Sequence, residues 1–205
     1  MFDGVIRRSI DPALDRAGRW CAARGMTADR MTLTGLALGL SAAALIAAGA
    51  AGALALLPLL ASRLADGLDG AIARATQRTD FGGYLDILCD FLFYGAVPLA
   101  FVIRDPDANG IAGALLLASF YVNGTSFLGY AVLAEKRGMT TALRGEKSLY
   151  FTAGLLEGSE TIVFFVALCL WPQSFAWAAP VFAALCLVTA LSRGWLAWRV
   201  FGRGS

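Results

Sequence analysis

Five acidic residues stand in the stretch DGLDGAIARATQRTDFGGYLDILCD, Asp66 to Asp90, inside a chain that is otherwise apolar for long runs. Asp66 and Asp69 are spaced to share one face of a helix, and so are Asp86 and Asp90. If their two helices are antiparallel neighbours joined by the short loop Ala75–Phe81, four carboxylates converge at one depth across a single helix–helix interface. An ionised carboxylate inside a membrane costs about 2.5–3.5 kcal/mol. Arg63 and Arg74 on the first helix cannot neutralise all four. Hard oxygen ligands, with no histidine in the chain and no cysteine in the set, select Mg2+, Mn2+ or Ca2+ over zinc. A pair of such ions serves phosphoryl or nucleotidyl chemistry. Gly67 and Gly70 leave room for a ligand to reach the backbone, and Arg74 is placed to meet a phosphate one turn away. The plainer alternative is a salt-bridged helix interface with no metal.

The elements that must hold these residues are membrane helices. Of 205 residues 58% are hydrophobic and only 16% charged, and the mean hydropathy is +0.66, values that a soluble domain rarely reaches. Six apolar runs approach the roughly 20 residues that a spanning helix needs, near residues 31–50, 53–74, 82–103, 110–134, 149–171 and 175–198. No charge falls between Arg30 and Arg63, so the second helix must run on through RLADGLDGAIAR and carry Asp66 and Asp69 in its last turns. Lysine and arginine concentrate in segments 1–30, 74–80, 135–147 and 199–205, whereas the opposite loops hold only Arg104. The positive-inside rule then puts both termini and the acidic cluster on the cytoplasmic side. Before the first span, Asp11–Pro12 reads as a helix start and Gly25 as its stop. Leu14, Ala17, Trp20 and Cys21 share a face of that helix with arginines around it, as in a helix lying on the membrane surface. The N-terminus lacks the apolar core of a cleavable signal. Cys21, Cys89, Cys169 and Cys186 form no CxxC pair, which speaks against a disulfide framework or a zinc knuckle. The absence of histidine removes the Ser-His-Asp triad as well. The fold class expected is therefore an all-α polytopic membrane protein: one domain over residues 1–205, with an interfacial helix in 1–30 and a six-helix bundle in 31–200.

Glu157 and Glu160 fall inside the fifth run, three residues apart. They either face the site or pair with Lys147, Arg193 or Arg63; a helix-packing role is the alternative. Asn123, Thr125 and Ser126 read as polar packing, and Trp171, Trp177, Trp195 and Trp198 as aromatic belts.

The spacing D-x2-D-G-x2-A-R followed by G-x3-D-x3-D, carried by Asp66, Asp69, Gly70, Ala73, Arg74, Gly82, Asp86 and Asp90, resembles the signature of the CDP-alcohol phosphotransferases. Between Arg74 and Gly82 stand seven residues where that family usually has eight. MTADRMTLTG is similar to the segment that opens the family's first span, with Ala28 in place of the usual proline, and DFLFYGAVP after the motif is similar to bacterial members. The resemblance implies displacement at phosphorus: an acceptor hydroxyl attacks the β-phosphate of a CDP-alcohol such as CDP-diacylglycerol, and CMP leaves. It implies that Asp66, Asp69, Asp86 and Asp90 hold two Mg2+ or Mn2+ ions, with Asp90 also the general base. Gly70, Arg74 and Thr79 would contact the CDP group, with Asp29 to Thr32 closing over it. It further implies a homodimer in the bacterial inner membrane. The lipid bilayer, a CDP-alcohol and a small alcohol acceptor are the expected partners, and no nucleic acid is expected. Relatives with phosphorylated acceptors present basic residues where this chain has Glu157 and Glu160, so a neutral or amino-bearing acceptor is favoured. Two rivals compete. A transporter would also concentrate acids in membrane helices, but near the midplane and often with inverted repeats; a UbiA-type prenyltransferase would bind pyrophosphate through aspartates at different spacing in a longer bundle.

Overall fold

A computed structural model describes residues 3–139, 156 and 158–202. These residues are helical with short connections, and no strand occurs among them. In chain order the helices are α1 (Asp3–Ala23), α2 (Ala28–Ala47), α3 (Gly52–Ala75), α4 (Asp80–Arg104), α5 (Pro106–Lys136), α6 (Gly158–Leu170) and α7 (Phe175–Phe201), with a 3-10 turn at Pro172–Ser174.

The boundaries follow local chemistry. Thr27 caps α2 by accepting from the Arg30 amide at 3.3 Å, and Asp29 in the first turn meets the positive end of the helix dipole. Thr79 caps α4 in the same way, accepting from the Gly82 amide at 3.0 Å. Asp105 accepts from the Ala108 amide at 3.0 Å, and Pro106 opens α5 where its missing N–H costs nothing. Gly25, at φ 81°, turns the chain between α1 and α2 in a conformation that glycine adopts without strain. α1 begins at Asp3, earlier than the Asp11–Pro12 start expected from the sequence, with Pro12 inside it. The proline removes the bond to the carbonyl four residues back and its ring crowds that carbonyl, while the turns on either side continue the helix.

Four segments are long and apolar enough to cross a membrane: α2, α4, α5 and the 3-10 turn with α7. α3 has 24 residues, the length of a span, but carries Arg63, Asp66, Asp69 and Arg74. α6 has 13 residues; residues 149–155 and Glu157 of the expected fifth run lie outside the described residues. α2 packs against both α3 and α4, α1 against α3, and α5 against α7. The core between them is aromatic. Phe93 meets Phe165 edge-on with ring centres 5.9 Å apart, Phe164 stacks on Phe182 at 4.1 Å, and Phe101 on Phe175 at 4.8 Å. Large apolar side chains such as Leu57, Ile111, Val163 and Leu191 point outward, where lipid rather than water makes that arrangement stable. Chain elements meet closely through small residues. A Cβ on Gly18 of α1 would lie 2.6 Å from the Ala71 Cβ of α3.

Candidate active site

The end of the bundle where α3 passes into α4 gathers the acids. One carboxylate oxygen each from Asp66, Asp69 and Asp86 lies within 4.8 Å of the others. α3 and α4, joined by residues 76–79, both pack on α2 and scarcely on one another, so three of the four expected carboxylates meet beside α2 rather than across a direct α3–α4 interface as the sequence suggested. Asp69 is 6% exposed, and the Thr32 hydroxyl donates to its Oδ2 at 2.6 Å. Thr32, expected to contact the nucleotide, thus holds an aspartate from α2. Asp90 is bound differently: Arg63 Nη1 donates to its Oδ1 at 2.9 Å. The same nitrogen is 3.5 Å from Asp66 Oδ1.

A cavity of about 630 Å³ opens beside the acids. Asp69 and Asp86 line it, together with Asp29, Thr32, Gly70, Arg74, Thr79 and Gly82. All five residues expected to contact a nucleotide therefore share one cavity, whereas Asp66 and Asp90 lie outside its lining. The wall is completed by the α1–α2 turn (Gly25, Met26, Thr27, Ala28) and by Thr76, Gln77 and Arg78. Gly82 has to be small here. A Cβ would come 3.1 Å from Asp29 Oδ1 and 3.0 Å from Thr79 Oγ1, narrowing the approach to the cavity. Arg74 is placed in the cavity lining but engaged: its Nε and Nη2 donate to Asp15 Oδ1 of α1 at 3.1 and 2.7 Å.

Three carboxylates with this separation, one of them pinned by a buried hydroxyl, fit a hard divalent cation by donor chemistry. A cavity of mixed charge next to them has the size of a small-molecule site. Sequence reasoning missed Asp15, and it named Arg63 as a charge beside the acids without finding its bond to Asp90. Arg63 was visible three positions before Asp66, but its bond to Asp90 joins residues 27 apart. The Arg74–Asp15 pair spans 59 residues, so no local pattern announces it. At the far half of the bundle Arg193 Nη1 donates to Asn123 Oδ1 at 2.9 Å and to Ser126 Oγ at 2.7 Å. This gives Asn123 and Ser126 the packing role expected of them. Ser159 Oγ donates to Glu160 at 3.1 Å.

The comparisons with known proteins bear on this geometry. Among curated proteins, the inner membrane protein YnjF of Escherichia coli (strain K12) is 45% identical over 195 residues, covering 95% of this chain and 94% of its own. The archaetidylinositol phosphate synthase of Pyrococcus horikoshii is 27% identical over 174 residues, covering 81% of this chain and 89% of its own. Among solved structures, the Mycobacterium tuberculosis phosphatidylinositol phosphate synthase PgsA1 with CDP-DAG bound shares the fold. It superimposes with a TM-score of 0.63 at 20% identity over 90% of this chain and 93% of its own. The same enzyme in complex with manganese and citrate gives a TM-score of 0.63 at 20% identity over 90% of this chain and 88% of its own. The family model described as CDP-alcohol phosphatidyltransferase matches residues 25–200, from the turn before α2 to the last turn of α7. With its aspartates gathered, its cavity beside them and a match of that extent, the chain belongs to the CDP-alcohol phosphatidyltransferase family.

Proposed function

We propose that this protein transfers a phosphatidyl group from CDP-diacylglycerol, or a related group from another CDP-alcohol, to a small alcohol acceptor, releasing CMP. The observation that carries the reading is the cavity in which Asp29, Thr32, Gly70, Arg74 and Thr79 surround a space floored by Asp69 and Asp86. Its size and its mixture of guanidinium and hydroxyl groups suit a nucleotide head group. The crystal complexes of the fold relative contain CDP-DAG in one case and manganese in the other, which supports the same two ligand classes here.

In this reading Asp66, Asp69, Asp86 and Asp90 hold two divalent cations, Mg2+ or Mn2+. The bound metal supplies charge neutralisation for the pyrophosphate and for the leaving CMP. The chain's own groups do the rest. Arg74, released from Asp15, binds a phosphate of the donor, while Gly70 gives the donor access to the α3 backbone. Thr79 and Asp29 orient the nucleoside. Asp90 accepts the proton of the acceptor hydroxyl as its oxygen forms a bond to the β-phosphorus and the bond from that phosphorus to the CMP oxygen breaks. The acceptor is a neutral or amino-bearing alcohol, a reading that rests on Glu157 and Glu160.

The whole chain forms one domain, with α3 and the segment containing α6 completing six spans and α1 lying at the membrane surface. We place it in the bacterial inner membrane as a homodimer, both termini and the site cytoplasmic. The name of the E. coli relative and the distribution of lysine and arginine support this.

The experiment is CMP release by the purified protein with CDP-diacylglycerol and Mg2+ or Mn2+, against serine, glycerol, glycerol 3-phosphate, inositol and inositol phosphate. Metal-dependent release with one acceptor is expected, and Asp90→Asn should abolish it in a protein that remains folded. Substantial turnover by Asp90→Asn would refute the base assignment. Failure of CDP-diacylglycerol and CMP either to bind or to stabilise a folded protein would refute the transferase reading.

A further inference from the structure

Arg63 enters the bundle between α2, α3 and α4, with its side chain 11% exposed. Its Nη1 bridges Asp90 at 2.9 Å and Asp66 at 3.5 Å. Nη2 donates to Ser62 Oγ at 3.1 Å, and the guanidinium carbon lies 3.8 Å from the centre of the Phe93 ring. The buried Nε has no hydrogen-bond partner among the described residues. The support is held in turn: Ser62 Oγ donates to the Gly35 carbonyl at 2.7 Å, and the missing side chain of Gly39 leaves the space that Phe93 fills. An arginine desolvated this far is retained by the carboxylates beside it.

Asp66 is common to two groups: it converges with Asp69 and Asp86, and it shares the Arg63 guanidinium with Asp90, which lies outside that cluster. A divalent ion bound to both Asp66 and Asp90 would sit about 2.0–2.6 Å from an oxygen of each. Nη1 already lies against Oδ1 of each carboxylate, and a second positive centre bound there would be repelled by it. We infer that Arg63 is an internal cation standing in the second metal position: the first divalent ion binds at Asp66, Asp69 and Asp86, and a second binds only by displacing Arg63 from Asp90. The inference rests on the reading above that these aspartates hold divalent cations.

The test counts Mn2+ on the full chain in detergent micelles, with Mn2+ alone as the probe and the free-ion electron paramagnetic resonance signal as readout. The wild type should bind one ion, with a second at least about tenfold weaker. Arg63→Gln should tighten the second by about tenfold or more, and Arg63→Lys, which keeps the charge, should retain the wild-type gap. Two ions of equal affinity on the wild type would overturn the inference, as would a gap unchanged in Arg63→Gln. If Arg63→Gln does not fold, the wild-type count decides alone. No Mn2+ bound to a monodisperse, helical wild type would refute the metal reading and this inference together. A wild type that binds Mn2+ with a gap insensitive to Arg63→Gln refutes the inference only.

Discussion

Thr32→Val removes one proton donor and little else, because valine keeps the branched shape at a position only 7% exposed. The hydroxyl has a single hydrogen. It stands 2.6 Å from Asp69 Oδ2 and 3.1 Å from the Ala28 carbonyl, and the shorter contact to a charged acceptor takes most of it. A hydrogen bond to a charged group contributes about 1.5–3 kcal/mol; at about 2 kcal/mol its loss corresponds to roughly 30-fold in an equilibrium constant. Where that cost falls depends on whether metal is bound. Asp69 lines the cavity, so in metal-free protein a carboxylate released from Thr32 turns toward water and recovers much of the lost bonding. Binding a cation then requires Asp69 to be ordered again without its donor. We therefore predict Mn2+ affinity about 30-fold weaker, inside the roughly 10–100-fold range for losing a partner of a metal ligand, with little change in metal-free melting. A Mn2+ titration and a thermal melt on the same preparation measure both. Unchanged Mn2+ affinity with a clearly lowered melting temperature would refute the reasoning and leave Thr32 a packing residue.

Gly39→Ala would put a Cβ 2.6 Å from the Phe93 ring and 3.0 Å from Ser62 Oγ. Overpacking of this kind costs about 1–3 kcal/mol and should lower the melting temperature, whereas Gly95→Ala, whose Cβ meets nothing within 4 Å, should leave it equal or higher. Asp15→Asn breaks a pair in which both side chains are 38% exposed, so stability should change by no more than about 1 kcal/mol. CMP should bind more tightly by calorimetry, because Asp15 no longer competes for Arg74. Weaker CMP binding would mean instead that Asp15 orients Arg74.

Periodicity made the helices legible because each span is long; of the end signals read, Gly25 sits where α1 stops, while Asp11–Pro12 falls inside α1 rather than at its start. The gathering of Asp66, Asp69 and Asp86 was legible for the same reason, since two helix-spaced acids on each side of a short loop leave little choice of geometry. What composition obscured was span number. α3 is a full-length helix whose charges lower its hydropathy, and the described residues of the fifth run include 13 in α6. Thr32, Arg63 and Asp15 were harder, because their partners come from other helices and the distance between two helices is not encoded in either one. Thr32 was assigned to the nucleotide on resemblance. Its bond to Asp69 depends on how closely α2 lies against α3, which small residues such as Gly35 and Ala65 govern: a Cβ on Gly35 would stand 3.3 Å from the Ala65 Cβ.

Every residue gathered at the candidate site lies between Asp15 and Asp90, on α1 to α4 and their loops, while α5 and α7 pack chiefly on one another. A ribosome delivers the chain N-terminus first, so α2, α3 and α4 reach the bilayer ahead of the remaining helices. Those first helices carry a burden of negative charge that lipid alone would oppose. Arg63 lies on the same helix as Asp66 and needs only α4 to meet Asp90. The acids thus arrive with part of their neutralisation built in, before any later segment is made. A neutral residue at position 63 should therefore lower the yield of membrane-inserted protein, read by quantifying the membrane fraction against wild type.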